Sequence, residues 1–260
     1  MIILKNIYYQ YDSKVVLNDI HLSIKQKERI VILGINGCGK TTLLKILNAL
    51  IFPQKGSYTY NDVLITEKKI REKDFSRRFR REVVLLFQNP DVMLFNPTVY
   101  DEIAFSLRQL QLIENEVKDR VLYWANLFEL TSFLDLPPFK LSGGQKQKLC
   151  LACLLAIEPK FLLLDEPTAN LDPKTSGWLI DLLYDLQIAT VVTTHNISLA
   201  PELGERLIVM GENHRIIYDG PTMQFLNDKE KMLAAGLLHK HKHRHRHGNV
   251  EHSHYHFHDF

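Results

Sequence analysis

Gly34-Ile35-Asn36-Gly37-Cys38-Gly39-Lys40-Thr41 is the stretch that decides the fold, because of what lies on either side of it. Residues 29–33 before it form an apolar run of strand length. Residues 40–50 after it carry apolar positions at helical spacing and stop short of Pro53. The octapeptide fits G-x-x-x-x-G-K-[ST], a loop that joins a strand to a helix. Its glycines let the backbone bend until successive N–H groups point inward at phosphate oxygens, and the helix starting at Lys40 aims its positive end at the same place. Lys40 is placed to reach the β- and γ-phosphates of a nucleotide. Thr41 is placed to ligate Mg2+, with Thr42 beside it.

Outward from that loop, residues 161–164 form a second apolar strand that ends in Asp165-Glu166. Such a strand delivers Asp165 to the magnesium through the groups that ligate the ion and lets Glu166 polarise a water that attacks phosphate. Alone the pattern is common, since many core strands end in acids; it gains weight from lying downstream of a phosphate loop. The rest of the second half alternates strands (190–194, 206–210) with helices (174–186, 197–203), which implies a largely parallel sheet covered by helices. The first third reads as strands at 2–9, 16–24 and 29–33, with a small hairpin at 57–65 around Asn61-Asp62. Residues 67–82 are dense in both charge signs and read as a solvated face. A strand at 83–87 and a polar loop through Pro97 follow. Thr98, with Asp101 three residues on, resembles a capping box and opens a helix to about residue 110. Further helices are expected at 114–130 and 145–156.

Leu141-Ser142-Gly143-Gly144-Gln145 reads first as a glycine turn capping the helix that follows. In the company of the phosphate loop and the strand ending in two acids, the pentapeptide resembles the signature of ABC ATPases. Gln88 is similar to that family's Q-loop residue. Ala169-Asn170-Leu171-Asp172 is similar to its D-loop, with Asn170 where a small residue is usual, and His195 after Thr193-Thr194 matches its switch histidine. Tyr11 aligns with the aromatic that stacks on adenine, with Tyr8 or Tyr9 as the alternatives. Lys148 stands where arginine is common after the signature; it keeps the charge and loses the planar fork. The resemblance covers residues 1–236. It implies an α/β fold, a P-loop NTPase of the ABC ATPase type. The expected parts are a mostly parallel core sheet, an antiparallel β lobe and a helical lobe at about 97–156 within a domain spanning 1–238. It also implies ATP hydrolysis by Glu166, His195 and Gln88, with Gln88 joining Thr41 at the magnesium. The chain is expected to dimerise head to tail with itself, each ATP held between one copy's Lys40 loop and the other's Ser142, Gly143, Gly144 and Gln145, with Asp172 at the same interface.

Gln88-Asn89-Pro90-Asp91, Leu94-Phe95, Pro97-Thr98-Val99 and Glu102-Ile103-Ala104-Phe105 look like the same region of energy-coupling-factor ATPases, which drive a membrane scaffold joined to a substrate-binding membrane protein. That family usually has polar residues where Val92 and Met93 stand.

Composition sets outer bounds. At 260 residues and 45% apolar content the chain can bury one sizeable core with a subordinate lobe. Its longest apolar stretches are too short to span a bilayer, and no basic-then-apolar leader opens it, so a peripheral protein on the cytoplasmic face of the membrane is expected. The net charge of +2 resides in residues 239–260. Removing the four basic and two acidic residues there, from totals of 32 and 30, leaves 28 of each. A neutral body argues against nucleic acid as partner. Cys150 and Cys153 form a C-x-x-C inside an apolar run with no second pair, which reads as core packing.

The tail beyond Leu238 is low in complexity, and a mobile segment is expected there. His239, His241, His243, His245 and His247 alternate with lysine and arginine; His252, His254, His256 and His258 follow at the same spacing. Neutral imidazole suits nickel, cobalt, zinc and copper. A purification tag would lack the basic alternation and the interruption at residues 248–251; a polybasic arm for anionic lipid is a further reading. With the energy-coupling resemblance, the tail points to nickel or cobalt uptake. A vitamin-type importer of the same kind would have no use for it, and an ABC ATPase serving metal-cluster assembly would lack membrane partners.

Overall fold

The structure is a computed structural model that describes every residue except Asn170, Gly248, Asn249 and Phe260; from residue 239 onward it describes backbone alone. In chain order, β1 (Ile2–Tyr11), β2 (Lys14–Ile24), β3 (Arg29–Leu33), α1 (Lys40–Leu47), β4 (Lys55–Tyr60) and β5 (Val63–Leu64) build the first part. The next part comprises α2 (Glu67–Arg71), α3 (Lys73–Glu82), β6 (Val83–Leu86), α4 (Val99–Gln109), α5 (Glu114–Leu127) and α6 (Gly143–Leu155). The last part comprises β7 (Phe161–Asp165), α7 (Pro173–Asp185), β8 (Ala189–Thr194), α8 (Ala200–Leu203), β9 (Arg206–Met210), β10 (Ile216–Pro221), α9 (Thr222–Leu226), α10 (Lys229–Ala234), β11 (Leu238–His247) and β12 (Val250–Asp259).

The central sheet has the order β10-β9-β3-β8-β7-β6. All its pairings are parallel except β9 with β10. A four-stranded antiparallel sheet of order β2-β1-β4-β5 stands beside it. Consecutive residues of the central strands enter two different cores. Val31, Leu33, Leu162 and Leu164 pack with the helices of the α4–α6 lobe, while Ile30, Ile32, Phe161 and Leu163 pack with α1 and the antiparallel sheet. Strands buried on both faces read as unbroken apolar runs, which is why they were legible without alternation. Parallel pairing also brings every C-terminal strand end to one edge: Leu33 lies opposite Thr194, Asp165 opposite Thr193, and Leu86 opposite Leu164. Ligands of open parallel sheets bind along that edge.

Several boundaries differ from the sequence expectation for identifiable reasons. Helix α1 ends at Leu47 because Ala49 takes φ 50°, and α5 ends at Leu127 because Glu129 takes φ 60°. Asn61 and Asp62 both take positive φ, 45° and 63°, the twist-compatible hairpin turn that Asn and Asp tolerate. The charged stretch at 67–82 is not only a solvated face: α3 buries Phe75 and Phe79, and Phe79 meets Tyr60 edge-on at 5.4 Å. Strand β10 and helices α9 and α10 were not anticipated, since β10 is an edge strand whose alternate residues are exposed. The expectation of a mobile tail meets a described backbone in which β11 and β12 pair as a two-stranded antiparallel ribbon.

Candidate functional site

Helix α1 begins at Gly39, whose φ of 114° excludes other residues, and a Cβ there would lie 2.4 Å from the Val16 carbonyl oxygen. Gly37 also has positive φ, 83°, and a Cβ on Gly34 would lie 2.6 Å from Cys38 Sγ. The loop between β3 and α1 is therefore wound as tightly as backbone packing permits. Cys38 is buried among these residues, and burial pushes its thiol pKa up, so it contributes shape and backbone to the loop. His214, from the turn before β10, places Nδ1 3.2 Å from the Cys38 carbonyl oxygen and braces the loop from outside.

A cavity of about 240 Å³ opens in front of this loop, lined by Val16, Asn36, Gly37, Gly39, Lys40, Thr41, Thr42, Gln88, Glu166 and His195. Residues that follow four strand ends, those of β3, β6, β7 and β8, thus meet in one place. Lys40 Nζ donates to the carbonyl oxygens of Gly34 at 2.7 Å and Ile35 at 3.3 Å, and lies 3.4 Å from Glu166 Oε1. Both partners are almost fully buried, with side chains 7% and 8% exposed. A buried charge is tolerable only when paired, and these two side chains lie within ion-pair distance of each other.

Beneath the cavity, Thr41 Oγ1 donates to Asp165 Oδ2 at 2.8 Å. Thr193 Oγ1 donates to Asp165 Oδ1 at 2.8 Å and accepts from the Glu166 N–H at 3.0 Å. That second bond holds Glu166 at φ 46°, a left-handed conformation that costs a non-glycine residue on the order of 1–3 kcal/mol. The turn projects the carboxylate into the cavity. Glu166 Oε2 meets His195 Nδ1 at 2.9 Å and accepts from the His195 N–H at 3.3 Å. Glu166 Oε1 is buried and has no hydrogen-bond partner. Gln147 reaches from α6 to donate to the Pro167 carbonyl oxygen at 3.2 Å, tying the helical lobe to the turn after Glu166.

Ser142, Gly143, Gly144 and Gln145 lie outside this cavity. Ser142 Oγ accepts from the Gln145 N–H at 3.3 Å and Gln145 Oε1 accepts from the Ser142 N–H at 2.8 Å, a reciprocal cap on α6. Asp172 caps α7 by accepting from Thr175 N–H and Oγ1, and these bonds hold its carboxyl below the usual range. Tyr11 sits 41% exposed at the end of β1, edge-on to Tyr9 at 5.0 Å, and is not among the residues lining the cavity. Asn170 and the side chains of His239, His241, His243, His245, His247, His252, His254, His256 and His258 lie outside the described residues.

Residues 17–169 match the ABC transporter family. The chain belongs to the ABC transporter ATP-binding family. It is an ATPase subunit of a transporter. A protein of Methanosarcina acetivorans named as an ABC transporter ATP-binding protein is 45% identical over 91% of this chain and 88% of its own length. The energy-coupling factor transporter ATP-binding protein EcfA of Methanocaldococcus jannaschii is 36% identical over 90% and 83%. Among solved structures, cbiO1 of Clostridium perfringens, part of the transporter complex cbiONQ, superposes with a TM-score of 0.76 at 31% identity, covering 91% of this chain and 94% of that one. A dimeric ATP-binding cassette in a post-hydrolysis state, bound to ADP and Pi, superposes with a TM-score of 0.75 at 28% identity over 85% and 99%.

The ATPase has no helix, among its described residues, long and apolar enough to cross a membrane. Its sequence did not single out the residues that make the site rigid. Thr193 is the clearest case: it was visible only as one of two threonines closing an apolar strand, yet it bridges Asp165 and Glu166. The loop after Gln88 is held by buried Glu102, whose carboxylate accepts from the N–H groups of Phe95 and Asn96 and from Asn96 Nδ2. Lys146, one turn into α6, pairs with Asp91 at 2.7 Å. That contact links the Gln88 loop to the helix that starts at the signature. Lys148 pairs with Glu129 at 2.5 Å and sits over the Trp178 ring at 4.7 Å, so the lysine makes both an ionic and a π contact at that position.

Proposed function

We propose that this ATPase is the motor of an energy-coupling-factor-type importer, working as a head-to-tail homodimer on the cytoplasmic face of the membrane with nickel or cobalt ions as cargo. The observation that carries the catalytic part is Glu166 Oε1. It is a buried acceptor without a hydrogen bond, 3.4 Å from Lys40 Nζ, on a carboxylate whose other oxygen is engaged by His195. An attacking water supplies the missing donor. Glu166 takes its proton as the oxygen bonds to the γ-phosphorus and the bond to the ADP oxygen breaks, yielding ADP and phosphate. His195 holds the carboxylate's orientation from the rim. Lys40 moves from the Gly34 and Ile35 carbonyls to the β- and γ-phosphate oxygens, and the N–H groups of Gly37, Gly39 and Lys40 hold the rest.

Thr41 Oγ1 and the Asp165 carboxylate are hard oxygen donors within 2.8 Å of one another, with Gln88 lining the same cavity, a set that fits Mg2+. Bound there, Mg2+ supplies positive charge to the phosphate oxygens.

The dimer is supported by the separation of Ser142–Gln145 from the cavity of their own chain, and by the dimeric state of the superposable cassette. The positive end of α6 then reaches the γ-phosphate from the partner copy. Membrane subunits fit the surface after Gln88, where Val92 and Phe95 are 67% and 68% exposed. Beside it, Arg71, Arg77, Arg80, Arg81 and Phe105 line a cleft of about 500 Å³. Likeness to EcfA and cbiO1 supports the energy-coupling type, and the histidine tail supports the metal cargo. The test is the nickel, cobalt and zinc content of cells carrying the intact gene or Glu166→Gln. Selective loss of nickel or cobalt with Glu166→Gln is expected. Unchanged metals would overturn the cargo and leave a vitamin-type importer or a soluble assembly ATPase.

A further inference from the structure

The segment the ATPase mechanism does not use is the ribbon of β11 and β12, and its backbone register carries more than its composition. The ladder sets His239 opposite His258, His241 opposite His256, His243 opposite His254, and His245 opposite His252. Side-chain positions alternate between the two faces of a strand with period 2, and directly opposed residues share a face. All nine tail histidines, His247 included, therefore occupy one face of the ribbon, and eight of them form four cross-strand pairs. Lys240, Lys242, Arg244 and Arg246 occupy the other face, opposite Phe257, Tyr255, Ser253 and Glu251.

Pairing resolves a conflict present in the unpaired chain. In a coil, each histidine has cationic neighbours that repel a metal ion. In the ribbon, the basic positions and the histidine positions fall on opposite faces. Directly opposed positions have Cβ atoms about 4.5–5.5 Å apart, a span that two imidazoles ligating one ion at about 2.0–2.1 Å can bridge. Successive pairs along the face lie roughly 7 Å apart, twice the strand rise. An isolated two-stranded ribbon is marginal in water. A ligand that joins its strands therefore stabilises it by the free energy of binding.

We propose that the tail is a ladder of cross-strand histidine pairs that binds borderline divalent metal ions, nickel, cobalt, zinc or copper, up to one ion per pair, and whose ribbon is locked by the metal. The proposal deepens the metal reading of the tail and is independent of which cargo is transported. A purified-protein titration can fail while the cellular metal assay succeeds, and the reverse.

The experiment is titration of the full chain with Ni2+ by calorimetry, with far-UV circular dichroism recorded alongside. Three variants accompany it. One stops after Leu238. One carries His252→Ala, His254→Ala, His256→Ala and His258→Ala. The third exchanges each of Glu251, Ser253, Tyr255 and Phe257 with the histidine that follows it, which preserves composition and moves four histidines to the basic face. The intact chain is expected to bind Ni2+ and gain strand signal. The exchanged variant should bind at least about tenfold more weakly and gain no strand signal, because it loses the second ligand held at high effective concentration across the ladder. The alanine variant should match the exchanged one. Equal affinity and stoichiometry in the intact and exchanged chains would show that composition alone binds metal and overturn the ladder. No Ni2+ binding beyond that of the truncated chain would overturn it as well.

Discussion

Helices α1 and α6 both open on glycines, and the two openings differ in what demands those glycines. At α1 the demand is internal. Gly39 has φ 114° and no room for a methyl group against the Val16 carbonyl, and Lys40 beside it is buried against Glu166. At α6 a Cβ on Gly143 would meet nothing within 4 Å, and its φ is not in the left-handed range. Gly144 has only Thr175 near, at 3.3 Å. Neither packing nor backbone conformation of this chain requires glycine at 143. In the proposed head-to-tail dimer, the demand for glycine there would come from the nucleotide that approaches the end of α6. The glycines of the first site are accounted for within one copy; that of the second is accounted for only by the proposed dimer.

Glu166→Gln gives the largest expected effect. The amide cannot take the water's proton, so phosphate release should fall on the order of 10³-fold. ATP binding survives, and size-exclusion chromatography in ATP should show a persistent dimer. Rapid turnover would remove Glu166 from its role. Gly143→Asp tests the second site directly. A carboxylate in the first turn of a helix stabilises it by about 0.3–1 kcal/mol, so the isolated chain should melt no lower than the parent. In the proposed dimer the same charge would face the γ-phosphate of the partner's nucleotide, so ATP-dependent dimerisation should disappear and ATPase activity should fall on the order of 10²-fold. A large drop in melting temperature would make Gly143 structural and erase the contrast with Gly39.

Gly39→Ala should do the opposite. Strain and the clash with Val16 backbone cost about 3 kcal/mol, a drop in melting temperature of roughly 6–12 °C for a domain of this size. Thr193→Val is smaller. It leaves Asp165 Oδ1 and the Glu166 N–H without their shared partner, about 2 kcal/mol in all. The Glu166 turn loosens with it, so turnover should fall more than ATP affinity. The smallest expected signal is alkylation of the C-x-x-C. Burial pushes the Cys150 thiol up to about 12 and Cys153 well above its ordinary value. At pH 8 about one Cys150 in 10⁴ is thiolate, so iodoacetamide should label these cysteines only after denaturation. Labelling in the native state would reopen a redox or metal role for the pair.

The sequence by itself determined the phosphate loop, the acids at the end of β7, the capped start of α6 and the central parallel strands. Each of these is set by local rules: glycine where the backbone must turn back, apolar runs where a strand is covered on both faces, Ser and Gln where a helix start needs its N–H groups satisfied. The burial of Phe75 and Phe79 was signalled by their i, i+4 spacing, which sets both on one helix face, but the density of charge around them masked that signal. The clamp of Glu102 on residues 95–96, the pairing of Lys146 with Asp91 and the bridge of Thr193 were hidden for a different reason. Their partners are brought together by strand order and lobe packing, and a hydroxyl or carboxylate at the end of an element carries no local mark of what it will meet. The tail shows the same division. Its alternation of histidine with basic residues is plain in the chain, but only the register of β11 against β12 decides that the histidines share one face, since a slip of one residue would have set them against arginine and lysine.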